Sequence, residues 1–250
     1  MAKHKRDSGA LVVAEGGDGT GKTTQLKILK SHLEGKGYKV FLTREPGGGL
    51  PELRQKLFDL KTGSDSQAEI AEKETALFME DRTVHFRDKI NPAVERGEIV
   101  LCDRNGDSTL AYQGYGRALE TDLEELFKIY RNCSHKELID IQKSNNDANE
   151  TNRALLRAMN KAATQGRVAD LTIFLDMNPE GALARVKGRS DKNRLDDEAL
   201  AFHKKVADGY RKEALRDTEL KIKEWRVILA DNSVEIVSQK ITQAVEKLGL

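Results

Sequence analysis

The sequence predicts an α/β fold: a five-stranded parallel sheet with helices on both faces. Two observations carry this. Short apolar runs rich in β-branched residues alternate with stretches of helical spacing, which implies parallel pairing through right-handed crossovers. A glycine-bounded loop also joins the first run to the first helix.

Leu11 to Ala14 reads as a buried strand ended by Glu15-Gly16-Gly17. From Thr23, the residues Leu26, Ile28, Leu29 and Leu33 recur at helical spacing until Gly35 and Gly37 stop them. Val40 to Leu42 is the second strand, and Pro46-Gly47-Gly48-Gly49 breaks regular structure after it. Leu53, Leu57 and Leu60, then Ile70, Leu77 and Phe78, predict two helices around a polar connection at Lys61 to Gln67. Glu98 to Cys102 and Leu171 to Leu175 are the third and fourth strands. Val227 to Leu229 is the fifth, with Trp225 as an anchor before it. In such a sheet ligands bind at the carboxyl ends of the strands, where the glycine loop, Arg44, Asp103 and Arg104 all fall.

Composition narrows the function. With 42 Lys plus Arg against 41 Asp plus Glu, the net charge of +1 offers no global field for nucleic acid or anionic lipid, so neither is an expected partner. No apolar run approaches bilayer length and no secretory core follows Lys3 to Arg6, which predicts a cytoplasmic chain with no membrane partner. Residues 1–9 read as a flexible basic tail. Cys102 and Cys133 make neither a disulfide framework nor a zinc site, and the five histidines have no partner at metal-ligand spacing.

Gly16-Gly17-Asp18-Gly19-Thr20-Gly21-Lys22-Thr23 fits G-x-x-x-x-G-K-[ST] between a strand and a helix, the context that motif requires. Its glycines let successive N–H groups turn around a phosphate at a positive helix end. Lys22 reaches the outer phosphates and Thr23 can ligate magnesium. Asp103, ending the third strand, is the matching second metal ligand. The loop establishes nucleotide binding and leaves the reaction open.

The acceptor is marked elsewhere. The sequence resembles the thymidylate kinase (dTMP kinase) family in the Asp-Gly of the phosphate loop, Thr43-Arg44-Glu45-Pro46-Gly47-Gly48, Phe78-Met79-Glu80-Asp81-Arg82, and Asp103-Arg104 followed by Ser108-Thr109-Leu110-Ala111-Tyr112-Gln113. The resemblance continues through Met159 to Thr164, Asp170 to Asp176 and Asn193-Arg194-Leu195-Asp196, covering about four fifths of the chain in order. It implies a P-loop nucleoside-monophosphate kinase fold as a single domain, 1–250, and transfer from Mg·ATP to dTMP for dTTP synthesis.

By the same resemblance, Gly16 to Thr24 hold ATP, including Thr20, Gly21, Lys22, Thr23 and Thr24, and Mg2+ falls to Thr23 and Asp103. Arg44 and Arg104 cradle the acceptor phosphate. Phe78 stacks on the pyrimidine, and Arg82, one helical turn on, donates to its carbonyl edge. Thr109 and Gln113 line the base pocket beside Ser108. Tyr112 leaves no room for a 2′-hydroxyl, and Asp18 meets the sugar 3′-hydroxyl and the metal region. Arg189 and Arg194 belong to a lid, 185–197, that supplies catalytic cations as in bacterial-type members. Lys22 and Arg104 complete the catalytic set, and a homodimer is implied.

Three departures stand out. Gly49 replaces the family's usual threonine, in a stretch to Arg54 about two residues short. Asn193 stands where the lid commonly has aspartate. Arg117 and Met159 are roughly thirty residues further apart than usual, which makes 119–155 an insertion. Leu119, Leu123, Leu126, Phe127 and Tyr130, with a Thr121–Glu124 capping box, predict one helix of a hairpin there, and Leu155, Leu156 and Met159 the other. The rival readings are a P-loop kinase for another nucleotide or a deoxynucleoside, and a regulatory module that binds nucleotide without turnover.

Overall fold

Every residue of Ala10–Glu15 is buried because helices cover both of its faces, which is why the run shows no alternation of apolar and polar residues. This strand, β1, sits at the centre of a sheet completed by β2 (Val40–Arg44), β3 (Ile99–Asp103), β4 (Leu171–Asp176) and β5 (Trp225–Leu229). Their order is β2-β3-β1-β4-β5, and every neighbouring pair is parallel. The computed structural model describes residues 9–60, 67–117, 140–141, 143, 147–186 and 199–249. All five expected strands form. One detail is corrected: Trp225 does not precede β5 but opens it, paired with Thr172 and set edge-on against Phe174.

The period of two along each strand divides the core into two layers. Val12, Ala14, Leu101, Ile173 and Leu175 face α1 (Lys22–Gly35) and the C-terminal helix, Val234–Glu246. There they meet Leu26, Leu29, Leu33, Val237 and Ile241. Leu11, Val13, Val100 and Cys102 face the opposite way, onto Phe86, Ile90, Ala93 and Val94. Each fully buried Leu in these layers contributes about 1.5–3 kcal/mol relative to exposure.

Between β2 and β3 lie α2 (Pro51–Asp59), α3 (Gln67–His85) and α4 (Asn91–Glu95). The last two are joined by a π turn over Phe86–Ile90. Asn91 and then Pro92 follow that turn; Pro92 has no N–H to give to the carbonyl four residues back, and the Asn91 N–H reaches back five residues to Phe86. After β3 come α5 (Gly106–Thr109) and a second π turn, Leu110–Gly116, closed by the Arg117 N–H on Tyr112 O at 2.9 Å. Widened turns of this kind recur at functional sites, and this one carries Tyr112 and Gln113.

α6 (Ala148–Ala163) is capped by Asp147, whose carboxylate accepts from the N–H groups of Asn149 and Glu150. Leu155, Leu156 and Met159 bury its apolar face against Met79 and Leu110. α7 (Pro179–Val186) follows β4, and α8 (Leu200–Glu219) leads to β5; the C-terminal helix is α9. The expected hairpin partner with its Thr121–Glu124 box, the basic tail over residues 1–8, and the lid residues Arg189, Asn193 and Arg194 lie outside the described residues. Among the described residues, no helix is long and apolar enough to cross a membrane.

Candidate active site

The turn from β1 into α1 brings backbone to the mouth of the sheet. Gly19 has φ +81°, and a Cβ there would lie 2.1 Å from Ala182 O on α7, so no other residue fits. Lys22, the first residue of α1, is buried and curls its ammonium over the loop, donating to Gly16 O at 3.0 Å and Gly17 O at 2.7 Å. Thr20 Oγ1 donates to Gly17 O at 2.9 Å. Burial, then the nearby Arg104 charge, pulls the Lys22 pKa down to about 8.

Thr23 and Thr24 stand exposed on the first turn of α1. The β1–β3 register places Ala14 beside Asp103, so Thr23 Oγ1 donates to Asp103 Oδ2 at 2.5 Å. A hydroxyl and a carboxylate meeting beside a phosphate loop are the hard oxygen donors that suit Mg2+, which takes few protein ligands and keeps several waters. The donor set fits that ion.

The turn after β3 faces this loop. Arg104 has φ 72°, a left-handed conformation that is strained for any residue with a side chain. Its N–H donates to Ala14 O at 2.9 Å, and the Cys102 thiol donates to its carbonyl at 3.1 Å. Nη2 donates to Asp18 Oδ1 at 2.6 Å and Tyr112 OH at 3.2 Å; Nη1 donates to Gly16 O at 2.9 Å and to Ser108 Oγ and Tyr210 OH, each at 3.1 Å. Tyr112 OH donates to Asp18 Oδ2 at 2.6 Å. Burial by itself would raise the Asp18 carboxyl, but Arg104, Lys22 and the Tyr112 hydroxyl hold it well below the usual range. Asp18, Arg104, Ser108 and Tyr112, which the sequence assigns to one acceptor, thus converge on one guanidinium.

The expected base-side residues gather a short distance away. Phe78 is half-buried on α3, and Arg82 beside it is 2% exposed. Arg82 Nε donates to Glu45 Oε2 at 2.8 Å, and Nη2 pairs with the same oxygen at 2.7 Å. Nη1 donates to Thr109 Oγ1 at 3.1 Å and Asn160 Oδ1 at 2.6 Å. Glu45 also meets His85 Nδ1 at 3.0 Å, while His85 Nε2 lies 2.7 Å from Thr43 Oγ1. Burial would raise the Glu45 carboxyl, but Arg82 and His85 lower it. Gln113 is fully buried, its amide donating to Glu74 at 3.2 Å. Arg44 is exposed at the end of β2, in register with Asp103.

The departure at Gly49 has a local cause. Asp81 accepts from the N–H groups of Gly47, Gly49 and Leu50 at 2.7–3.0 Å, drawing that loop onto α3. A Cβ at Gly49 would sit 2.1 Å from Asp81 O.

Four contributors escaped assignment from sequence. Glu45 and Asn160 stand inside family-like runs, which was a usable signal. Glu15 is 0% exposed and accepts from the N–H groups of Asn105 and Ser108 at 2.8 and 3.3 Å. Burial, then the Asp107 charge, pushes its pKa up to about 7. Its one signal was a carboxylate extending an otherwise apolar strand. Tyr210 gave none, since its spacing from Phe202 and Val206 reads as core.

A parallel sheet in this order, with a glycine loop feeding α1 and a cationic turn facing it from β3, defines a P-loop phosphotransferase of the nucleoside-monophosphate kinase fold. The crystal structure of thymidylate kinase from Ehrlichia chaffeensis has that fold: its TM-score to this chain is 0.65 at 24% identity, covering 96% of this chain and 99% of that one. The family model described as "Thymidylate kinase" matches residues 14–129 and 146–241. Residues 130–145, between the two matched stretches, fall within the segment expected to be inserted. The chain is 33% identical to thymidylate kinase from Exiguobacterium sp. over 244 residues, covering 96% of each chain. It is 36% identical to that of Desulfovibrio desulfuricans over 246 residues, covering 94% of each. The chain belongs to the thymidylate kinase family, and its reaction is phosphorylation of dTMP by ATP.

Proposed function

We propose a division of labour between the two facing turns. On the donor side, Gly16 to Thr24 wrap the ATP phosphates, and Lys22 exchanges its two carbonyl partners for phosphate oxygens. Mg2+ would be held by Thr23 and Asp103, where it would neutralise phosphate charge. On the acceptor side, Arg104 with Arg44 cradles the dTMP phosphate, Asp18 meets the sugar, and Tyr112 closes the space beside C2′. Phe78 stacks on the base while Arg82, Thr109 and Gln113 read its edge, with Ser108 bracing Arg104.

Arg189 and Arg194 are assigned on sequence alone as the cations that offset charge on the moving phosphoryl group. Transfer of this kind rests on positioning and electrostatics, so no general base is required. The observation that carries the reading is the Asp18–Arg104–Tyr112 cluster held at 2.6–3.2 Å beside the loop that carries Lys22. A homodimer in the cytoplasm, serving nucleotide biosynthesis, completes the proposal.

The test is a coupled ADP-release assay with dTMP, dUMP, dCMP, dGMP and thymidine as acceptors, with and without a magnesium chelator. Fastest turnover with dTMP, abolished by chelation and restored by added Mg2+, is expected. Preference for another acceptor, or indifference to chelation, contradicts the reading. Light scattering of the same sample tests the dimer.

A further inference from the structure

We propose that Glu15 and Tyr210 are positioning residues for Arg104, a role that rests on Arg104 receiving the dTMP phosphate. The strained turn at Arg104 needs its neighbours held, and the N–H groups of Asn105 and Ser108 just beyond it point into the protein. Glu15 Oε1 takes the Asn105 N–H at 2.8 Å, a donor buried there, and shares the Ser108 N–H at 3.3 Å with Asn105 O at 3.0 Å.

The second carboxylate oxygen controls the side chain. Glu15 Oε2 accepts from Ser108 Oγ at 2.7 Å and Tyr210 OH at 3.1 Å, and the two hydroxyls lie 2.7 Å apart. Each hydroxyl carries one proton. With both protons turned toward the carboxylate, or one toward it and the other toward the neighbouring hydroxyl oxygen, a lone pair on each hydroxyl faces Arg104 Nη1, which donates to both at 3.1 Å. Glu15 thus keeps two neutral groups acting as acceptors for a guanidinium it never touches.

Tyr210 is well fixed for this task. It is 0% exposed on α8, stacked on Phe174 with ring centroids 5.3 Å apart and set edge-on to Tyr112 at 6.5 Å. Its hydroxyl therefore braces Nη1 while Asp18 and Tyr112 engage Nη2, and the plane of the guanidinium is set from two sides.

Tyr210→Phe removes one oxygen and keeps the ring, so it is the first variant to measure. Its KM for dTMP should rise about tenfold, with the KM for ATP and the melting temperature near wild type. In an Arg104→Ala background the same change should have almost no effect on dTMP, because the group it orients is gone. Glu15→Gln, which preserves shape and some hydrogen bonding, should fall between wild type and Glu15→Ala. An unchanged KM for dTMP in Tyr210→Phe, equal losses for both substrates, or a loss that persists in full without Arg104 overturns the assignment. Failure of the wild-type chain to use dTMP would instead refute the functional reading, so the two failures are distinguishable.

Discussion

The proposed donor and acceptor halves of this site are built by different means. The donor half is nearly continuous chain, Gly16 to Thr24, made chiefly of backbone and one lysine. The acceptor half draws on the ends of β1, β2 and β3 and on α3, α6 and α8, and its charges are buried against one another. On the donor side Lys22 can be removed without leaving its carbonyl partners alone. On the acceptor side removing a buried charge abandons a charged partner, so damage to chemistry and to folding arrive together.

Lys22→Ala is the strongest test of that contrast. Gly16 O keeps Arg104 as a donor and Gly17 O keeps Thr20, so the fold loses little. Turnover should fall by roughly 10²–10³ or more while the melting temperature stays within a few degrees. A large drop in melting temperature would erase the distinction.

Glu45→Ala should do the opposite. It leaves Arg82 and His85, which are 2% and 0% exposed, without their carboxylate. A loss of about 3–5 kcal/mol in urea unfolding is expected, together with weaker dTMP binding. Stability within about 1 kcal/mol of wild type would show that the acceptor half tolerates orphaned charge.

A pH series sharpens the same point at Glu15. Its pKa of about 7 lies above the usual carboxyl value of 4.5, so the folded chain keeps this proton where the unfolded chain has released it. The resulting stability is fully present below the usual carboxyl value and is lost as pH rises through about 7. Glu15→Gln does not titrate. Its unfolding free energy relative to wild type should therefore improve as pH rises from the usual carboxyl value to above about 7. A difference that stays flat with pH contradicts the raised carboxyl.

The smallest expected effect concerns the sugar. With Tyr112 in its proposed place beside C2′, Tyr112→Ala should shrink the preference for dTMP over its ribonucleotide counterpart by about tenfold in competition assays. An unchanged preference would assign the selection to another residue.

The sequence by itself determined the parts that depend on local chemistry. The five strands were legible because short apolar runs bounded by polar or turn-forming residues have few other uses, and the phosphate loop because its glycines and lysine act within nine consecutive residues. Asp18, Arg104 and Tyr112 were legible as a set through their order along the chain. Only the tertiary structure decided how they are held. A carboxylate at position 15 looks like a strand terminus until helices close over it. Tyr210 looks like core until α8 lays its hydroxyl beside Ser108 and Arg104. Burial and hydrogen-bond partnership across 88 to 195 positions of sequence are products of packing, so no local pattern records them.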